Sequence, residues 1–188
     1  MTSDKHQIIL DTALELFTKR GYFNTSVHDI QKQAQVSIGS IYHHFKNKEA
    51  IAKALFDDLA YTMAKAMSDI IDNYSTAHDR CREVISYIFK VTEDTPQTMH
   101  YILYAKHKEF LPDQKPVCSS RPFELMKKMV IQGIEDGEIR QLDPDIAATS
   151  IFGGAIRLIH LYLDGVLEKH LSECLDECWQ CAWRSVSR

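Results

Sequence analysis

The chain has 188 residues, of which 45% are hydrophobic, which is enough to bury a sizeable core in one large or two small domains. We find no run of about 18 apolar residues and no basic-then-apolar leader, so we expect neither a membrane span nor a signal peptide and predict a cytoplasmic protein. The net charge of -4 is uneven, because residues 1–50 sum to +1 and the remainder to -5, which favours contact between the amino-terminal end and phosphate.

The first predicted helix runs from about Asp4 to Arg20 and ends at Gly21, because glycine is a common stop signal. Apolar residues recur on one of its faces, which predicts a helix that braces the elements that follow it. Those residues are Ile9, Ala13, Leu16 and Phe17.

A helix-turn-helix is predicted directly after this helix. Ser26 is placed to cap the first short helix while Asp29 reaches back to it, and Ser37 is placed to cap the second. Residues 35–37 leave room for only a short turn, so the two helices must cross steeply. Gln35 stands where such a turn often needs a left-handed backbone, which costs a non-glycine residue about 1 kcal/mol.

The second short helix displays a surface suited to the major groove of DNA. Small residues permit close approach, and hydroxyl, phenol and imidazole groups suit base edges and phosphates. Lys48 adds a cation in the first turn of the next helix, where it opposes the macrodipole unless an external phosphate binds there. The candidate DNA contacts are Ser26, Ser37, Ile38, Gly39, Ser40, Tyr42, His43, His44, Lys46 and Lys48.

A wider pattern surrounds this motif and consists of Phe17, Gly21, Thr25, Ile30, Val36, Ser37, Gly39, Ile41, Tyr42, His44, Phe45, Lys48 and Glu49. It resembles the amino-terminal domain of TetR-type (tetracycline-repressor-like) transcriptional regulators over about residues 5–55. The resemblance implies that Thr25, Tyr42 and Lys48 hold phosphates and that residues 37–44 face the bases.

Six further helices are predicted beyond the motif, and no strand-like alternation, repeat or low-complexity tract is present. The predicted fold is therefore all-α with about nine helices. We expect a DNA-binding domain at 1–50, with its motif at about 26–45, and an effector-binding and dimerisation domain at 51–188. The later helices are predicted at about Lys48–Tyr74, His78–Thr92, Thr95–His107, Arg121–Asp136, Asp143–Asp164 and Ser172–Ser185, with a loop at Leu111–Ser120.

Aromatic, methionine and histidine residues are frequent between Tyr87 and Tyr162, which is typical of a small-molecule pocket with an apolar wall. The alternative is an ordinary core, since such residues at helical spacing commonly only pack. Arg157 and His160 fall among apolar neighbours, so we expect each to meet an acidic partner or an anionic ligand group. The predicted effector-binding set is Tyr87, His100, Tyr101, Tyr104, Phe123, Met126, Met129, Phe152, Arg157 and His160.

The last two predicted helices have stripes of small and apolar residues. We expect a single subunit to leave part of these stripes exposed to solvent. Two such helices from each of two copies would form a four-helix bundle about a two-fold axis. Packing within one chain is the alternative. The predicted dimer interface is Gly153, Gly154, Leu158, Leu161, Tyr162, Leu171, Leu175, Cys178 and Ala182.

The chain has five cysteines, which we expect to be free thiols because no secretory signal is found. His170, Cys174, Cys178 and Cys181 lie near one side of a predicted helix, but the outer two are separated by about 16 Å at 1.5 Å per residue. They cannot share one zinc ion. A thiol switch is the alternative to a structural role, and we predict neither a metal site nor a cofactor.

No local arrangement of nucleophile, base and orienting group indicates an enzyme. We therefore predict a homodimeric regulator, most simply a repressor, that binds a palindromic double-stranded operator and is released by a partly apolar small molecule. An activator of the same fold is one alternative. Because Gln31, Gln35 and Ile38 depart from the pattern of the family, a small-molecule-binding protein that has lost DNA binding is another.

Overall fold

The computed structural model describes residues 5–113 and 119–188 of the chain. Within these ranges every regular element is a helix, apart from one isolated antiparallel bridge between Ile139 and Ser187, so the predicted all-α class is confirmed. The ten helices are α1 (Lys5–Arg20), α2 (Val27–Ala34), α3 (Ile38–His44), α4 (Lys48–Asn73), α5 (Ala77–Asp94), α6 (Pro96–Tyr104), α7 (His107–Phe110), α8 (Arg121–Glu135), α9 (Pro144–Leu163) and α10 (Leu171–Val186).

Two helix boundaries differ from the predicted ones. The predicted helix at Thr95–His107 is shorter, because α6 ends at Tyr104 and a separate single-turn helix, α7, follows it. The last helix begins after His170, not after Ser172, because the Glu173 carboxylate accepts the backbone N–H of His170 at 3.1 Å. Residues 114–118 of the predicted Leu111–Ser120 loop lie outside the described residues.

The helices form two compact units, and each unit consists of two separate segments of the chain. The first unit contains residues 5–60 and 97–113, and the second contains 61–96 and 119–188. The expected DNA-binding domain at 1–50 is therefore joined in its unit by α6 and α7, which lie some fifty residues farther along the chain.

The core of the first unit explains why α6 and α7 belong to it. Tyr101, Phe110 and Leu111 are all at most 8% exposed and lie in one apolar cluster with residues of α1, α2, α3 and the start of α4. The Tyr101 hydroxyl donates a hydrogen bond to the Ala52 carbonyl at 3.3 Å, and the rings of Tyr22 and Phe110 stack with centroids 4.0 Å apart. Burying a large side chain contributes about 1.5–3 kcal/mol, so these residues stabilise the unit substantially.

The second unit is a helical bundle in which α10 packs on α9 and α5, and α8 packs on α5 and α9. A side-chain carbon at Gly133 would lie only 2.5 Å from Cβ of Ala77, so α8 can approach α5 this closely only with glycine there. The Glu138 carboxylate accepts the backbone N–H groups of Ala77 and His78 at 2.8 and 3.1 Å, which caps the start of α5.

Helix α9 is the one described helix that is long and apolar enough, by length and composition, to cross a membrane. It is nevertheless interrupted by polar and charged residues such as Asp145 and Arg157, so the expectation that the chain has no run of about 18 apolar residues stands. Helix α9 packs against α5, α8 and α10, as a core helix of a bundle does. Within this one chain α9 buries one face, while Leu158, Leu161 and Tyr162 remain partly exposed.

Candidate DNA-binding surface and effector clefts

The start of α2 is fixed by a reciprocal pair of hydrogen bonds. The Ser26 hydroxyl accepts the backbone N–H of Asp29 at 3.1 Å, and the Asp29 carboxylate accepts the backbone N–H of Ser26 at 2.8 Å. These bonds from Ser26 lower the pKa of Asp29, and the guanidinium of Arg20, 3.7 Å away, acts in the same direction. The predicted capping box is therefore present and charged at neutral pH.

The turn between α2 and α3 has the geometry of a helix-turn-helix. Gln35 has φ 53° and ψ 36°, so the left-handed backbone expected there is observed. The Gln31 side chain donates a hydrogen bond to the Val36 carbonyl at 2.9 Å and so closes the turn from the helix side. Gln31 and Gln35 both depart from the usual family pattern. The left-handed backbone of Gln35 is strained, and the hydrogen bond from the Gln31 side chain stabilises the turn that contains it.

Helix α3 is anchored on one side and open on the other. Ile41 is fully buried, and the Ser37 hydroxyl caps the helix by accepting the backbone N–H of Ser40 at 3.0 Å. The opposite face is exposed, with Tyr42 54% and Ile38 36% accessible. Ser37, Gly39, His43, His44 and Lys46 are exposed as well, and Ser40 is half-buried.

Thr25 does not have the surface position that a phosphate contact requires. It is 1% exposed, and its hydroxyl donates to the Gly21 carbonyl at 3.0 Å and lies 3.4 Å from the Leu16 carbonyl. A buried hydroxyl needs a partner, and here backbone carbonyls at the end of α1 supply it. We therefore correct the expected role of Thr25 from phosphate ligand to an internal link between α1 and α2.

Lys48 also has internal partners that the sequence did not indicate. Its Nζ donates to the carbonyls of Tyr22 and Thr25, each at 2.9 Å, and lies 4.1 Å from the centroid of the Tyr22 ring. Two of its three N–H donors are thus used within the protein. The Asn47 side chain caps α4 by accepting the backbone N–H of Ala50 at 2.8 Å.

One residue of this end of the unit was missed by the sequence analysis. His6, in the first turn of α1, has its ring centroid 5.7 Å from that of His44 and 4.9 Å from that of Phe45. The helical spacing of α1 gives no sign of this contact, because it depends on how α1 packs against α3.

The predicted effector residues fall in two separate clefts. In the first unit, an aromatic cleft of about 260 Å³ lies between α1, α6 and α7 and includes His100, Tyr101 and Tyr104. In the second unit, the α8–α9 cleft of about 250 Å³ includes Phe123, Met126 and Phe152, with the Lys127 ammonium 2.6 Å from an Asp145 carboxylate oxygen at its wall.

The remaining four predicted effector residues do not line either cleft. Met129 is a 2% exposed core residue, and Tyr87 is half-buried, which raises the pKa of its phenol. Arg157 is exposed, so burial within one chain gives no reason for the acidic partner or anionic ligand group expected for it, and that expectation stays a prediction. His160 is half-buried with its Nδ1 2.7 Å from the Ile156 carbonyl.

The predicted dimer face is largely open in the single chain. An apolar groove of about 570 Å³ between α9 and α10 is lined by Gly154, Leu158, Cys178 and Ala182 among others, and nothing lies within 4 Å of a side-chain carbon placed at Gly154. Gly153, Leu161, Tyr162 and Leu175 are partly exposed. Leu171, by contrast, is fully buried within its own chain, so its expected place in an interface is corrected to the core.

The described cysteines are free thiols, as expected. Cys81 is buried, which raises its pKa to about 12, and burial also raises the pKa of Cys178. The neighbours Cys174 and Cys181 line the α9–α10 groove with Cys178. Cys118 lies outside the described residues. Among the residues that the structure describes, no three His, Cys, Asp or Glu side chains are grouped to hold a metal ion.

Comparison with known proteins agrees with this geometry. Residues 9–55 match the family described as bacterial regulatory proteins, tetR family. The chain is 31% identical over 160 residues to the fatty acid metabolism regulator protein of Bacillus subtilis, covering 79% of this chain and 78% of that protein. It is 29% identical to the HTH-type transcriptional repressor KstR2 of Mycolicibacterium smegmatis, covering 73% and 69%.

A solved structure extends the likeness to nearly the whole chain. The transcriptional regulator FadR of Bacillus subtilis, in complex with stearoyl-CoA, superposes with a TM-score of 0.82 at 25% identity over 94% of this chain and 96% of that one. The similarity thus includes both units and not the helix-turn-helix alone. The chain belongs to the tetR family of bacterial regulatory proteins and is a ligand-responsive, DNA-binding transcriptional repressor.

Proposed function

We propose that the protein acts as a homodimer in the cytoplasm and places the α3 helix of each subunit in successive major grooves of a near-palindromic operator, about 34–36 Å apart. The observation that supports this most directly is the exposed face of α3, which a strained turn and two capped helices hold outward from a buried Ile41. Ser26, Tyr42 and Lys46 are the proposed phosphate contacts, while Ser40 and His43 face the bases.

The proposed dimer interface is the α9–α10 face. Leu158, Leu161 and Tyr162 of α9 are partly exposed in the single chain, and the apolar groove beside α9 is open at Gly154. A second copy seated on this face would cover the groove and the partly exposed apolar side chains beside it. Two helices from each copy would then form a four-helix bundle.

The proposed effector is a fatty acyl thioester or a molecule of similar shape, with a long apolar chain and an anionic head. The fatty acid metabolism regulator of Bacillus subtilis and the FadR structure with stearoyl-CoA support this class. In this chain the α8–α9 cleft has an apolar wall of Phe123, Met126 and Phe152 and one cation, Lys127, whose partner Asp145 is exposed. Such a cleft suits part of an apolar chain, and Lys127 would bind the anionic head in place of its present partner, the Asp145 carboxylate.

An effector changes DNA binding only if it has different affinities for two arrangements of the protein. Helix α4 is continuous from Lys48, which bonds within the DNA-binding unit, to Asn73 in the second unit. A shift of this helix would move the two α3 helices of a dimer relative to each other. Acyl thioester and DNA would then weaken each other's binding reciprocally.

The test is a binding titration with duplex DNA taken from upstream of the coding sequence of the protein, with and without stearoyl-CoA, stearate or free coenzyme A. We expect a saturable complex with DNA that stearoyl-CoA dissociates and free coenzyme A does not. Tyr42→Ala should weaken the complex about tenfold, by loss of one phosphate contact, while Tyr61→Ala, an exposed tyrosine of the second unit, should not. Binding that is equal in both variants would contradict the assigned surface.

A further inference from the structure

Three imidazole rings form a continuous contact at the DNA-facing end of the first unit. The ring of His6 meets that of His44 edge-on, with centroids 5.7 Å apart, and His44 meets His43 in the same manner at 5.1 Å. Phe45 is 5% exposed, and its ring lies 4.9 Å from His6, which holds the first turn of α1 against the end of α3. His6 is thereby joined to the proposed DNA-contacting surface from a different helix.

The described surroundings of these rings are more basic than acidic, while Asp4, two residues before His6, lies outside the described residues. His43 and His44 are exposed, His6 is half-buried, and the exposed lysines Lys5 and Lys46 are their near neighbours in sequence. Helix α3 itself has no acidic residue.

The carboxylates of the surrounding helices have partners elsewhere. Asp11 on α1 accepts the Gln7 side-chain amide at 3.0 Å, and Glu15 accepts that of Gln33 at 2.7 Å. Asp29 caps α2. Burial raises the pKa of the Tyr22 phenol, and the negative charge of Glu49 at the start of α4 acts in the same direction.

Imidazole is the side chain that changes charge most readily between pH 5 and 8. Three adjacent rings repel one another when all are cationic, whereas a nearby phosphate favours the cationic form. We propose that His6, together with its ring partner His44, binds backbone phosphate of DNA as a cation, so that DNA binding takes up protons and strengthens as the pH falls from 8 to 6. This inference rests on the proposed function of the same surface. It adds His6 of α1 to the DNA contacts and adds pH as a condition that regulates binding.

The expected size of the effect follows from linkage. If a phosphate contact favours the cation of one imidazole about tenfold, DNA affinity rises about sixfold per histidine between pH 8 and pH 6. Each additional cation that neutralises a phosphate also steepens the salt dependence of the association constant by about 0.9 on a log–log scale. Both quantities report charge at the interface, and a purely structural role of His6 would change neither in a pH-dependent manner.

The experiment measures the dissociation constant for a 30-base-pair duplex of arbitrary sequence and for duplex from upstream of the coding sequence, at pH 6, 7 and 8 and at several salt concentrations. The proteins are the full chain and its His6→Gln, His6→Arg and His170→Asn variants. His170 is exposed in the second unit and serves as the matched control. Far-UV circular dichroism at each pH confirms that every variant is folded.

We expect His6→Gln to lose about sixfold more affinity at pH 6 than at pH 8, and to lower the salt slope by about 0.9 at pH 6 alone. His6→Arg keeps a cation at every pH, so it should reduce the pH dependence by the same factor while restoring the salt slope. His170→Asn should behave as the unsubstituted chain. If His6→Gln keeps the full pH dependence, the role of His6 is refuted while DNA binding stands; if no duplex is bound at any pH in low salt, the proposed function itself fails.

Discussion

The buried His107 gives the clearest quantitative prediction about the stability of the DNA-binding unit. It is 6% exposed and lies among the rings of Phe56, Tyr101 and Phe110, at centroid distances of 4.9, 4.9 and 5.7 Å. Its Nε2 has no hydrogen-bond partner among the described residues. Burial lowers the pKa of His107 from 6.5 to about 4, because the apolar surroundings disfavour the imidazolium.

The sign of the effect on stability follows from which state binds more protons. The unfolded chain takes up a proton near pH 6.5, while the folded chain resists protonation until about pH 4. The stabilising contribution is therefore complete above pH 6.5 and is lost as the pH falls from there towards 4. Between pH 8 and pH 5 the loss amounts to about 2 kcal/mol in the free energy of unfolding, with RT at about 0.59 kcal/mol.

The assay is urea denaturation followed by far-UV circular dichroism at pH 8, 7, 6 and 5, for the unsubstituted chain and for His107→Leu. Leucine has a similar volume and no charge, so the variant should lose about 2 kcal/mol less stability over this range, whatever its stability at pH 8. Other titrating groups contribute equally to both proteins and cancel in the difference. Parallel pH profiles for the two proteins would refute the reasoning.

Three further predictions concern the DNA-binding surface and the dimer. Lys48→Met should lower the free energy of unfolding by about 2 kcal/mol in urea denaturation, because two backbone carbonyls lose a charged donor; an effect on DNA affinity alone would contradict the internal role. Lys46→Ala should reduce the salt slope of DNA binding by about 0.9 in titrations at several salt concentrations, and an unchanged slope would remove Lys46 from the contact set. Gly154→Arg should yield folded monomers in sedimentation, because the position is open in one chain but faces the proposed partner; an unchanged dimer would place the interface elsewhere.

Local signals predicted the DNA-binding motif well. The capping box of Ser26 and Asp29, the cap at Ser37 and the left-handed Gln35 all depend on residues within a few positions of one another, so their spacing in the sequence is enough to predict them. The family resemblance correctly indicated a ligand-responsive repressor of the tetR family.

Contacts between distant segments were not predictable in the same way. The hydroxyl of Thr25 bonds to Leu16 and Gly21, and the ammonium of Lys48 reaches 26 residues back to Tyr22. The short α7 was missed because one helical turn is too brief to show a periodic apolar pattern. The apolar residues next to Arg157 in the sequence suggested that its side chain is buried. Neighbours along a helix point in different directions, and the Arg157 side chain is exposed.

The participation of residues 97–113 in the core around α1 has a practical consequence for protein engineering. A fragment cut after residue 60 would lack Tyr101, Phe110 and Leu111, and the apolar wall they cover would be open to water. A fusion that joins the DNA-binding unit of this protein to a different sensor domain must therefore include both segments, because each one completes the apolar core of the other.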